Sequence, residues 1–202
     1  MSFFKLLELI FTFTLLLLVS PLFFLIALLI KLTSQGPVFF SSRRIGLCGK
    51  AFSCFKFRTM RSTEKEFLND YLANQPEKKL EWELYHKLTD DPRVYPFGNF
   101  LRKTSLDELP QLLNVLNGSM SLCGPRPLLD EDLAKIPDPL KAKFLSIKPG
   151  ITGLWQISGR NTMSFLKRVE LESNYIDKKN VFLDIKIFFK TIPVVLLKKG
   201  AF

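Results

Sequence analysis

The sequence predicts an α+β fold, mainly helical, with an N-terminal membrane helix, one short β-hairpin and amphipathic helices at the membrane interface. Three observations predict it: an uncharged 22-residue run over 9–30, two Phe-rich strand-like segments joined by a glycine turn, and helical composition over much of the remaining chain. A length of 202 residues accommodates one domain plus an appendage. Apolar residues make up 47% and charged residues 24%. That mix, without heptads or repeats, excludes disorder, collagen and coiled coil. Cys48, Cys54 and Cys123 are too few for a disulfide framework or a four-ligand zinc site, which points to a reducing compartment. Lys and Arg exceed Asp and Glu by 29 to 19, so the expected partners are anionic: lipid head groups, nucleotides or nucleic acid.

The uncharged run is long enough for a bilayer core, which takes roughly 20 helical residues. It exceeds the apolar region of a cleavable signal, about 7 to 15 residues, and lacks a small-residue cleavage site. Ser20-Pro21 falls at its middle. Proline has no N–H and crowds the carbonyl four residues back, so a kink or break is expected there, with the Ser20 hydroxyl placed to serve the freed carbonyl of Leu17. This leaves two readings, a kinked span and a re-entrant helix that returns to the same face; length alone favours the span. Residues 31–63 hold seven basic residues and no acid, which puts that flank in the cytoplasm.

Beyond the membrane segment, 38–44 and 51–57 read as strands of a hairpin turning through 46–50. Residues 64–88 are helical in composition and interrupted by Pro76. A turn at Asp90-Asp91-Pro92-Arg93 leads to a helix over about 106–116 that Gly118 ends. Residues 124–127 cannot be regular, 139–146 form a short helix, and 148–160 form a glycine-punctuated loop. In 183–197, an apolar stretch interrupted by Pro193, Lys186 and Lys190 share one helix face while Ile185, Phe188, Phe189 and Ile192 cover much of the rest. Such a helix lies either in the membrane interface or in the core.

The chemistry concentrates in Arg102-Lys103-Thr104-Ser105-Leu106-Asp107-Glu108-Leu109-Pro110-Gln111-Leu112. Ser105 and Glu108 have the spacing of a capping box, with acids facing the helix dipole. Adjacent carboxylates there also suit phosphate chemistry: one attacks phosphorus while the other holds a divalent cation. Arg126, between Pro125 and Pro127, offers a planar fork to phosphate oxygens, or simply fills a turn. The glycines of 148–160 leave N–H groups open to an anion, and Trp155 packs on a nucleobase or in the core. His86, the single histidine, receives no role, and there is no Walker loop, GxGxxG, HExxH or CxxC.

Four blocks in order, Lys56-Phe-Arg58-Thr-Met60, Thr104-Ser-Leu-Asp-Glu-Leu-Pro-Gln-Leu112, Gly124-Pro-Arg-Pro127 and Lys148-Pro-Gly-Ile-Thr-Gly-Leu-Trp-Gln-Ile-Ser-Gly-Arg160, resemble the bacterial sugar transferase family, the monotopic phosphoglycosyl transferases. The likeness covers nearly the whole chain, as a minimal catalytic unit. It implies transfer of a sugar 1-phosphate from a UDP-sugar to undecaprenyl phosphate, with UMP released and Mg²⁺ required. It implies that the first step of glycan assembly occurs at the cytoplasmic face of the bacterial inner membrane. It also implies a re-entrant helix broken at a Ser-Pro pair, here Ser20-Pro21, reversing the preference for a span. Residues 1–34 are then the membrane-embedded segment and 35–202 the catalytic domain resting on anionic lipids.

By the same resemblance Asp107 is the nucleophile, Glu108 the metal ligand and Arg126 a phosphate ligand. Arg102 and Arg160 would also contact phosphates, and Lys56 and Arg58 would position the lipid phosphate. Asp184, in a Leu-Asp-Ile context, supports the metal or caps a helix. Cys123 stands where relatives usually carry an aliphatic residue, and Tyr95 where Thr is common. The stretch 64–88 resembles that of members using hexoses such as galactose or glucose. The rival from another class is a membrane-tethered basic adaptor for anionic lipid or nucleic acid. The aromatics argue against nucleic acid, because 20 are Phe, many within apolar stretches, against four Tyr and two Trp.

Overall fold

The structure, a computed structural model, describes residues 3–61, 65–85, 88, 90–159 and 163–196. Helix α1, Phe3–Thr33, is mostly Leu, Phe and Ile, and a helix satisfies its own backbone where water is absent. It continues through Pro21 as one helix, without the interruption expected there. The reason is local. The Ser20 hydroxyl donates to the Leu17 carbonyl at 2.8 Å, the acceptor that proline leaves unserved.

Both halves of α1 pack on the rest of the chain. Near its C-terminal end, Ile26 and Ile30 form a core with Phe57 and Leu101, flanked by Phe23, Leu106 and Leu109. Full burial of such side chains contributes about 1.5–3 kcal/mol each. Near its N-terminal end, Glu8 Oε1 accepts the Leu122 N–H at 2.7 Å, and Phe11 meets Phe188 edge-on with centroids 5.3 Å apart. The outward side carries Leu18, Phe24, Leu25 and Leu28, all exposed.

Strands β1 (Phe39–Ile45) and β2 (Ala51–Phe57) form the antiparallel hairpin that the sequence predicts, with Phe40 opposite Lys56, Ser42 opposite Cys54 and Arg44 opposite Phe52. Helices α2 (Lys65–Ala73) and α3 (Pro76–Tyr85) come next, separated at Pro76 as expected. Helix α4, Pro96–Lys103, starts on a proline, which is pre-set for a first helical turn. Its Gly98 lies where any Cβ would collide with the Thr59 backbone, so α4 rests directly on the chain leaving β2.

The predicted helix over 106–116 is divided. Leu106–Glu108 is a single 3₁₀ turn, and α5 runs over Gln111–Leu116. Pro110 has no N–H with which to continue a helix, so the turn closes on i−3 bonds, Leu109 N–H to Leu106 O among them. Strand β3 (Ser121–Cys123) pairs in parallel with β4 (Gly150–Thr152), with α6 (Asp130–Ala134) and α7 (Asp138–Phe144) between them. Helices α8 (Leu154–Ile157), α9 (Phe165–Lys178) and α10 (Val181–Leu196) complete the chain.

The 148–160 segment is therefore part strand and part helix rather than an open loop. Its glycines serve close backbone approach: Gly150 N–H donates to Pro125 O and Gly124 N–H to Thr152 O, both at 2.9 Å. A Cβ on Gly124 would stand 2.6 Å from the Gly150 nitrogen. Helix α10 divides its faces. Ile187 is buried beside Tyr175 and Cys123, whereas Phe182, Ile185, Phe189 and Ile192 form an exposed apolar stripe.

Candidate active site

Lys56, Asp107, Glu108 and Arg126 meet at one end of the hairpin. The strand register places Lys56 on the same face as Phe40, Ser42 and Arg44. Asn114 of α5, fully buried, accepts the Phe55 N–H at 2.9 Å and donates to Ser53 O at 2.8 Å, which fastens α5 and the turn before it against β2. Lys56 Nζ then lies 2.7 Å from Glu108 Oε1 and 3.8 Å from Asp107 Oδ2. Arg126 reaches the same Glu108 oxygen with Nη1 at 3.5 Å.

Asp107 is only 8% exposed. Burial, reinforced by the neighbouring Glu108 charge, pushes its carboxyl up to about 6, against the pull of Lys56, Arg102 and Arg126. A carboxylate that is poorly solvated yet ionised at neutral pH is a competent nucleophile. Arg102, from the last turn of α4, contributes its field while its Nε donates to Thr59 Oγ1 at 2.8 Å. These groups line a cleft of about 2230 Å³. Other lining residues include Leu15 and Val19 of α1 and Ile192 and Val195 of α10, so the charged pair shares its cavity with the apolar helices.

Several expectations require correction. Ser105 does not cap the turn; it adopts a left-handed conformation, φ 56° and ψ 15°, and bends the chain from α4 into the Asp107 turn. Arg58 is buried and its guanidinium donates to Pro37 O, Ser34 Oγ and Ser34 O at 2.5, 2.8 and 2.9 Å. Three of its donors fasten the segment after α1 to the end of β2, an internal clamp that the sequence does not show, while Arg58 still lines the cleft. Asp184 stands apart from the cleft, accepting the Tyr175 hydroxyl at 2.6 Å. Arg160 and His86 lie outside the described residues.

The basic excess converges inward: Arg44, Lys56, Arg102 and Arg126 all line the cleft around the two carboxylates. Among the described residues no cluster of three or more potential metal-binding side chains occurs. Two adjacent carboxylates beside an open cleft nevertheless fit what Mg²⁺ uses, one or two carboxylates with phosphate oxygens and water completing the shell. Sequence reasoning missed Arg168 and Glu172, both at the Arg126 side of the cleft; their i, i+4 spacing in a helix was the available signal.

The family model described as bacterial sugar transferase matches residues 2–198. The exopolysaccharide production protein ExoY of Rhizobium meliloti (strain 1021) is 47% identical over 187 residues, covering 93% of this chain and 82% of that protein. The undecaprenyl-phosphate galactose phosphotransferase of Salmonella typhimurium is 47% identical over 93% of this chain but only 39% of its own length. The UDP-glucose:undecaprenyl-phosphate glucose-1-phosphate transferase of Escherichia coli (strain K12) is 41% identical over 93% of this chain and 39% of its own length. With a family match over nearly its whole length and a charged pair set in a cleft partly lined by apolar helices, the chain belongs to the bacterial sugar transferase family.

Proposed function

We propose that this transferase moves a sugar 1-phosphate from a UDP-sugar to undecaprenyl phosphate at the cytoplasmic face of the inner membrane, initiating exopolysaccharide or a related glycan. The observation that carries the reading is the buried Asp107 beside Glu108, ringed by Lys56, Arg102 and Arg126, in a cleft that extends to α1 and α10. Such a cleft admits a soluble phosphate donor and a lipid acceptor together.

The Asp107 carboxylate attacks the sugar-linked phosphorus of the donor. The bond to the bridging oxygen breaks, UMP departs with the electron pair, and an aspartyl phosphosugar remains. The phosphate oxygen of the lipid then attacks the same phosphorus and expels the Asp107 carboxylate. Splitting one difficult displacement into two in this way is the usual gain of covalent catalysis. Arg126, Lys56 and Arg102 hold phosphate oxygens and oppose the repulsion between the donor and an anionic nucleophile. Glu108, with donor phosphates, would hold Mg²⁺, which would supply charge neutralisation.

We place α1 as a re-entrant element, residues 1–34 embedded and 35–202 on the cytoplasmic side. Support comes from its two ends: Glu8 and Phe11 contact β3 and α10, while Ile26 and Ile30 join the core of β2 and α4. A helix crossing the bilayer would carry one end away from that body. The exposed stripe of α10, flanked by Lys186 and Lys190, suits the interface. The deciding experiment identifies the nucleotide released from a panel of UDP-sugars with undecaprenyl phosphate and Mg²⁺. UMP is expected; UDP would mean transfer of sugar alone and would remove Asp107 as nucleophile.

A further inference from the structure

At the Arg126 side of the cleft, two arginines lie against one tryptophan. Trp155, on the short α8, is only 7% exposed and lines the cleft. The Arg126 guanidinium carbon stands 5.4 Å from its ring centroid, and that of Arg168, from α9, 5.2 Å. Glu172, one turn beyond Arg168 and 1% exposed, holds both partners. Its Oε1 accepts the Arg126 backbone N–H at 2.8 Å, and its Oε2 faces Arg168 Nε at 3.6 Å.

This cluster is positively charged and under-bonded. The Arg168 guanidinium and the Arg126 backbone N–H share one buried carboxylate, and the Arg126 guanidinium works against the Arg168 charge. The Trp155 indole N–H is buried without a hydrogen-bond partner, and Arg168 Nε and Glu172 Oε2 are buried with only each other, as an ion pair too long for a hydrogen bond. Native interiors leave few such groups, because each unpaired one forfeits its bonds to water. Burial and the nearby Arg126 charge hold the Arg168 guanidinium below its ordinary range, so the strain in this corner is electrostatic as well. An anion would relieve it. Planar forks seated on an aromatic face are suited to phosphate oxygens, which they bind in pairs.

We propose that Arg126 and Arg168, spaced by Trp155 and fixed by Glu172, form a second phosphate subsite beside Asp107 and Glu108, with Arg168 as a substrate-binding residue. Arg126 links the two, since its Nη1 also reaches Glu108. The subsite rests on the phosphoryl-transfer reading above. Its ligand is a phosphate monoester or diphosphate, from either the nucleotide or the lipid, and the two sources are separable by direct binding.

The test measures binding of UMP and, separately, of a short-chain polyprenyl phosphate to the full chain in nanodiscs, without turnover. Arg168→Met should weaken one of the two by about 10- to 100-fold, with Arg168→Lys intermediate. Loss confined to UMP assigns the subsite to the leaving nucleotide; loss confined to the polyprenyl phosphate assigns it to the acceptor. Unchanged affinity for both ligands in folded Arg168→Met overturns the subsite while leaving the reaction intact. A wild-type chain that binds neither ligand overturns the reaction itself.

A second readout leaves the arginines untouched. The chain has two tryptophans, so Trp82→Phe makes Trp155 the sole emitter. Its fluorescence should change saturably with the ligand that Arg168 holds. An unaltered spectrum while that ligand demonstrably binds would overturn the assignment.

Discussion

Asp107 and Asp184 are both acids of a mainly helical body, both raised above their ordinary range first by burial, and both near a lysine. What surrounds them differs. Asp184 receives a 2.6 Å hydrogen bond from Tyr175, has Lys179 at 4.0 Å, and sits in the first turn of α10, where its own N–H donates to Asn180 O at 3.1 Å. Its backbone carbonyl takes the Cys123 thiol at 3.3 Å. Asp107 has a long ion pair with Lys56, a second carboxylate next to it, and an open cleft in front. A carboxylate already bonded by a neutral hydroxyl is a structural tie. One held by distant charges beside open space is available for reaction. Residue type and burial alone do not separate the two; the identity of the donors does.

The largest expected effect breaks the comparison if it fails. Asp107→Asn should lower turnover by at least about 1,000-fold, the scale on which loss of a nucleophile acts, while membrane association persists. The same substitution should stabilise the fold. The folded-state value of about 6 lies above the ordinary 3.8, so the protonated carboxyl is the form the fold favours. Its stabilising contribution is present below about pH 4 and is lost as pH rises through about 6. At pH 7.5 the ionised group therefore costs about 3 kcal/mol, which the neutral amide avoids. Thermal unfolding should show a gain for the Asn variant at pH 7.5 that vanishes near pH 4. A lower melting temperature at pH 7.5 would mean that Asp107 is held for structure.

A smaller effect sharpens the role of the cations. In the wild-type chain kcat/KM should fall as pH drops through about 6, following protonation of Asp107. Lys56→Met removes the 2.7 Å partner of Glu108 and the strongest opposing charge on Asp107. Turnover should drop about 10- to 100-fold, and the acidic limb should move to higher pH. Profiles over pH 5 to 8 decide it; a limb that stays in place belongs to another group.

How much of this was legible in the sequence depends on range. The hairpin, the Pro76 division and the helical α10 segment were readable because each is written in local composition, although α10 runs through Pro193 instead of being interrupted there. Asp107, Glu108 and Arg126 were singled out through motifs, and the structure brings them together. The capping box failed because Pro110 two residues on forbids the helix it would cap, and Ser105 turns left-handed instead. The Arg58 clamp was not legible, because nothing local reveals that its fork closes on Ser34 and Pro37, more than 20 residues earlier. Arg168 was invisible for the converse reason: its i, i+4 carboxylate partner suggests an ordinary surface pair, and only folding brings Arg126 and Trp155 beside it.

The smallest effects test the other half of the comparison. Tyr175→Phe deletes the hydroxyl that holds Asp184, and Asp184→Ala deletes the acceptor that it holds. Each should cost about 1–2 kcal/mol, a few degrees in melting temperature for a chain of this size, with kcat/KM within about threefold. Because the two groups serve one contact, the double variant should lose little more than the larger single loss, a coupling of about 1 kcal/mol. That non-additivity is what a structural tie between α9 and α10 requires. A carboxylate acting on the substrates would behave otherwise: Asp184→Ala alone would depress turnover toward the level of Asp107→Asn, while Tyr175→Phe would spare it. The pair of measurements therefore separates the two acids by mechanism, not merely by magnitude.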